Sequence, residues 1–173
     1  MGAFMKTVVK IQKQTGFSLV ELLIVIAIMG IMAIIASYSW QRSVNNANLR
    51  TAARQLESDI KTMKERAFSA DTTLTMIFDQ TANTYTRFNG ITVQTVSLTS
   101  FGQNITIDSL PGAVTTYTLS FLARGLLSPA PTAIANCSTI TNTCSIVLKN
   151  SRNSQATITY NLTGKTYVTF AMQ

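Results

Sequence analysis

The sequence has 173 residues, room for one domain, and only 12% of them are charged, about half the share usual in a soluble domain. It has two cysteines and no histidine, which excludes the usual imidazole base and a four-ligand zinc site built on cysteine and histidine. The net charge of +7 falls to +4 without Lys6, Lys10 and Lys13 (14 − 3 bases against 7 acids), a mild excess that does not single out nucleic acid as a partner.

Behind those three lysines the chain turns apolar. Phe17 to Tyr38 reads FSLVELLIVIAIMGIMAIIASY, with Glu21 its one charge. A helix of that length rises about 33 Å, enough for a bilayer core. Lysines on one side only put that end in the cytoplasm. A secretory signal also has a basic start and an apolar stretch. This run is longer than a usual signal core, though, and Ile34-Ile35-Ala36 is a poor small-x-small site. Under that alternative, an ordinary secreted protein, the mature chain begins after Ala36. Glu21 needs a reason, because a carboxylate at mid-membrane costs about 2.5–3.5 kcal/mol. Either it lies near the interface, about 6 Å along the helix from Phe17, and reaches water, or it meets a partner such as a new N-terminal amine from a neighbouring subunit.

Gly16-Phe17-Ser18-Leu19-Val20-Glu21, followed by LLIVIAIMGIMAIIA, resembles the processing motif of type IV prepilins and type II secretion pseudopilins. The resemblance implies a leader, 1–16, removed by a prepilin peptidase after Gly16. It implies N-methylation of Phe17, and an assembly role for Glu21 in docking subunits into a filament. It also implies a pilin fold, a bacterial inner-membrane anchor with the head in the periplasm, and later a place in the pilus or pseudopilus. Partners would be other pilin or pseudopilin subunits, the peptidase and an inner-membrane assembly platform. Many members carry Pro in the membrane half of the helix. Tyr38 stands there in this chain, so no kink is obligatory, and Gly30 is the one weak point.

The helix continues beyond the membrane half, 17–40, into an amphipathic half, 41–70. Leu49, Ala52, Ala53, Leu56, Ile60, Met63 and Ala67 recur at three- and four-residue spacing, with Arg50, Arg54, Glu57, Lys61, Lys64 and Glu65 opposite. That stripe is read as core packing, and Glu57–Lys61 and Lys61–Glu65 as i,i+4 pairs. The helix ends near Ala70.

Residues 71–173 read as a β-rich head. Leu74, Met76 and Phe78 alternate with polar residues, and Tyr85–Phe88 leads into Asn89-Gly90, a two-residue hairpin signal. Ile91–Leu98, Ile105–Asp108 and Thr115–Leu122 are further predicted strands, with a turn at Pro111-Gly112. Gly125–Thr143, with Pro129 and Pro131, is predicted as a loop closed by Cys137 and Cys144. Six residues separate those cysteines, which suits a small disulfide loop in an oxidising compartment worth roughly 2–3 kcal/mol; free thiols in a reducing cytosol are the alternative. Ser145–Lys149, Ala156–Asn161 and Lys165–Ala171 complete the strands, with turns at Asn150–Ser154 and Thr163-Gly164. The fold class is therefore α+β: a long N-terminal helix packed on a small antiparallel sheet.

Three stretches make the head resemble GspH/FimT-type minor subunits: ARQLESDIKTMKERAFSADTTLTMIFD, YTLSFLARGLLSPAP with Arg124-Gly125, and ITYNLTGKTYV with Gly164-Lys165. That resemblance implies low abundance and a tip or priming position. No catalytic residues, metal ligands or cofactor stand out, since Asp71, Asp79 and Asp108 are scattered beside turns. The chain is expected to be a peptidase substrate, not an enzyme. Some FimT-type subunits bind DNA, and Lys149, Arg152 and Lys165 would be the contacts here, through salt-sensitive phosphate binding. Only one base follows Gly164, where DNA-binding members tend to carry two arginines; a solvated basic edge is the other reading.

Overall fold

The computed structural model describes residues 17–102, 104–130, 137–138 and 143–173. Helix α1 spans Leu19–Ser69, within two residues of the expected bounds, and its helical assignment runs through Gly30 and Tyr38 without a break. Backbone contacts divide the chain into two compact units, one up to Ser39 and one from Trp40 to Gln173.

In the first unit, every residue from Phe17 to Ser37 is exposed. This stretch is long and apolar enough to cross a membrane, and none of it is buried among the described residues. So large an apolar surface requires an apolar environment from elsewhere. The helix starts at a cap written in the sequence. The Ser18 hydroxyl accepts a hydrogen bond from the Val20 N–H at 3.3 Å, and the Ser18 carbonyl accepts one from Leu22 at 3.2 Å.

In the second unit the predicted helical stripe is the core. Leu49, Ala52, Ala53, Leu56, Ile60, Met63 and Ala67 are all buried. The larger of these each contribute about 1.5–3 kcal/mol by leaving water. Of the two predicted ion pairs, Lys61 makes the one with Glu57, at 2.7 Å. The helix ends in a Schellman-type turn: Thr72 N–H donates to the Ala67 carbonyl at 3.2 Å and Asp71 N–H to that of Phe68 at 3.4 Å. Asp71 takes the left-handed position usually given to glycine, with φ 49°.

The strands are β1 (Leu74–Asp79), β2 (Thr84–Phe88), β3 (Val93–Ser97), β4 (Thr106–Ser109), β5 (Thr116–Phe121), β6 (Leu127–Ala130), β7 (Cys137–Ser138), β8 (Thr143–Lys149), β9 (Gln155–Asn161) and β10 (Thr166–Ala171). They form two antiparallel sheets where one was expected: β3-β2-β1-β5-β6, and β10-β9-β8-β4 with β7 added beside β8. Alternation explains the faces. Leu74, Met76 and Phe78 of β1, Tyr117, Leu119 and Phe121 of β5, and Ile146, Leu148, Ala156, Ile158 and Tyr160 of β8 and β9 point into one core with the helical stripe. The sheets are joined by polar groups as well. The Asn83 side chain accepts from Ile107 N–H at 2.9 Å, Leu127 N–H donates to the Leu162 carbonyl at 2.8 Å, and the Tyr117 and Tyr160 hydroxyls are hydrogen-bonded.

Two local expectations are corrected. Part of the stretch expected to be a loop is strand: β6 pairs with β5, placing Pro129 opposite Leu119. Proline is tolerated there because β6 is an edge, where one face of the backbone needs no ladder donor. The Asn89-Gly90 hairpin closes through four residues, since Phe88 pairs with Val93. Gly90 alone of the pair has positive φ, 87°, while the Asn89 side chain accepts from the N–H groups of Ile91 (3.1 Å) and Thr92 (2.8 Å).

Candidate functional site

Gly16 and the rest of the leader lie outside the described residues. Phe17, the expected new N-terminus, is 82% exposed. Glu21 is exposed on the first turn of α1. With Ser18 as cap, Glu21 is the third helical residue, so Ser18-Leu19-Val20-Glu21 has the spacing of a capping box. A carboxylate there is favoured by the positive end of the helix dipole, by about 0.3–1 kcal/mol. This gives Glu21 a local reason to be tolerated at the head of an apolar helix. The Ser18 cap was overlooked in the sequence, although serine three residues before glutamate was its signal.

The cysteines form a disulfide. Cys137 and Cys144 lie directly opposite one another on β7 and β8, so the bond fastens a two-residue strand to the second sheet.

Of the three bases considered for nucleic acid, Lys165 lies apart from Lys149 and Arg152. Lys149 ends β8 opposite Gln155 at the start of β9, whereas Lys165 follows the turn after Asn161 at the other end of that strand. Six residues of strand, about 20 Å, separate these ends. Lys149 faces Asp108 at 3.7 Å. Arg152 sits in the β8–β9 turn, which is tied to the helix: the Asn150 amide and the Ser154 hydroxyl both donate to the Asn46 side-chain oxygen, at 3.0 and 2.9 Å.

The two glycine turns quoted from the sequence converge instead on one helical lysine. Lys64 donates to the Thr163 carbonyl at 3.0 Å, and its stem passes Gly125 and Gly164. A cavity of about 340 Å³ opens here, lined by Lys64, Glu65, Phe68, Arg124, Leu126 and Thr163 among others. Phe68 is 66% exposed.

A buried polar centre lies under the first sheet, and the sequence reading passed over it. Asp59, 4% exposed, accepts from the Tyr85 hydroxyl at 2.6 Å, from Arg87 Nη1 at 2.6 Å and from Gln55 at 3.1 Å. Its signal was an acid three residues after Leu56, on the apolar face of the helix. Burial, and then the bond to Asp59, raise the Tyr85 phenol well above its ordinary value.

A family profile described as the prokaryotic N-terminal methylation motif matches residues 11–37. No curated protein and no solved structure matched the chain. The matched stretch contains Gly16, Phe17, Ser18 and Glu21 and the start of the exposed apolar helix, so the N-terminal segment of this chain is a type IV prepilin-like methylation motif, of the kind that serves pilins and pseudopilins.

Proposed function

We propose that the chain is a structural minor subunit, a pseudopilin of a type II secretion pseudopilus or a minor pilin of a type IV pilus, and not an enzyme. Prepilin peptidase removes 1–16, Phe17 becomes the methylated N-terminus, and the apolar helix holds the subunit in the inner membrane with its head in the periplasm. During assembly these helices bundle, exchanging lipid for one another, and Glu21 meets the amine of a neighbouring Phe17. The observation that carries this reading is the continuity of the methylation motif, 11–37, with a helix exposed from Leu19 to Ser37. An apolar surface of that length is covered by a bilayer or by copies of itself. The resemblance of the head to GspH/FimT-type subunits supports the minor role.

The test compares a deletion strain with its parent by mass spectrometry of the culture supernatant and the sheared surface fraction. Loss of secreted enzymes with pilin retained identifies a pseudopilin. Loss of pilin with the enzymes retained identifies a minor pilin. If neither changes, the structural role fails.

A further inference from the structure

Between α1 and the β2–β3 hairpin lies a second cavity, about 220 Å³, lined by Asp59, Thr62, Met63, Arg66, Arg87, Asn89 and Gln94. Its hydrogen-bonding inventory is one-sided. Apart from the Thr62 hydroxyl, which can donate or accept, the side-chain acceptors are engaged internally. Asp59 Oδ1 takes Gln55 and Arg87, and Asp59 Oδ2 takes Tyr85. Asn89 Oδ1 takes two backbone N–H groups, and Gln94 Oε1 takes Arg87 Nη2 at 3.0 Å. The donors are left over. Arg87 Nε is buried with no partner, and the amide nitrogens of Asn89 and Gln94 are uncommitted among the described residues. Arg66, in the last turn of the helix, faces no acid within ion-pair distance among them. Asp59 balances Arg87 at 2.6 Å, so Arg66 leaves the cavity with one positive charge in excess.

We infer that this cavity is a binding site for a small oxyanion, a carboxylate or a phosphate- or sulfate-class group. Such a group supplies only acceptors and one or two negative charges, which is the complement of what the lining leaves unmade. The groups that would meet it are the Arg66 guanidinium and the amide nitrogens of Asn89 and Gln94. The cavity is too small for a large cofactor and large enough for a few non-hydrogen atoms.

The mature full-length protein in detergent is titrated with sodium phosphate, sodium sulfate and sodium acetate against sodium chloride at matched ionic strength, and thermal unfolding is followed by circular dichroism. A saturable rise in Tm is expected with at least one of the three. Response to acetate points to carboxylates, such as an acidic side chain of a neighbouring chain. Response to phosphate or sulfate alone points to tetrahedral anions. Arg87 substitutions risk the fold, so the exposed Arg66→Gln and the hairpin variant Gln94→Ala carry the test, with unliganded Tm as the folding control. Each is expected to weaken binding, Arg66→Gln by about tenfold or more. No saturable response to any of the three at millimolar concentrations, or undiminished affinity in Arg66→Gln, overturns the assignment.

Discussion

Lys64 of the helix lies directly across Gly164 of the β9–β10 turn: a Cβ on residue 164 would sit 2.5 Å from the lysine Cδ, and the ammonium closes the contact on the Thr163 carbonyl at 3.0 Å. Gly164 is also at φ 79°. The backbone therefore disfavours a side chain at this position, and any side chain there must displace the flexible end of Lys64.

Gly164→Ala is expected to cost about 1–2 kcal/mol, mostly left-handed strain, with a small overpacking part because the far end of Lys64 can swing aside. In chemical denaturation, Lys64→Ala combined with Gly164→Ala should recover the overpacking part while the backbone part remains. Additive losses from the two substitutions would show that the contact carries no coupling.

Asp59→Ala strands the Tyr85 hydroxyl and the Arg87 guanidinium. Removing one partner of a buried pair costs about 3–5 kcal/mol. Arg87 keeps 25% of its side-chain surface exposed, so a loss near 3 kcal/mol is expected in denaturant midpoints. A loss below 1 kcal/mol would mean that the pair contributes little beyond solvation.

Asp71→Gly is expected to stabilise the second unit by about 0.5–1 kcal/mol, because glycine occupies the left-handed C′ position of the helix without strain. Thermal unfolding checks it; a lower Tm would show that the aspartate makes a compensating local interaction.

Three buried phenols set the alkaline limit. Burial pushes Tyr117 up to about 12, with some relief from its bond to Tyr160. Burial raises Tyr85 and Tyr160 further, Asp59 adding to the first and Tyr117 to the second. In the unfolded chain each ionises near 10. The folded state thus holds more protons above that pH. Its stability from these groups is fully present below about pH 10 and falls as pH rises from there through about 12 and beyond. In a spectrophotometric titration their phenolate absorbance should appear together with loss of the circular dichroism signal. Reversible ionisation of all the tyrosines near pH 10 with the fold intact would contradict this.

Much of this arrangement was legible because it rests on periodicity. The stripe from Leu49 to Ala67 is buried residue for residue, and the strand alternation at Leu74, Met76 and Phe78 gives the core face directly. What the sequence concealed depends on contacts between distant elements. Pro129 read as a breaker because only its place at a sheet edge makes it acceptable. Asp59 went unread because its partners Tyr85 and Arg87 reach it from 26 and 28 residues away. The separation of Lys149 from Lys165 follows from their positions at opposite ends of the β8–β9 pair, which composition does not carry.

The central claim is the processing of the N-terminus, and intact-mass and N-terminal peptide mass spectrometry of the protein purified from membranes tests it most directly. A chain beginning at Phe17 and carrying one added methyl group is the predicted result, lost in Gly16→Glu. A chain that retains Met1–Gly16 in the presence of an active prepilin peptidase, or one that begins after Ala36, would contradict it.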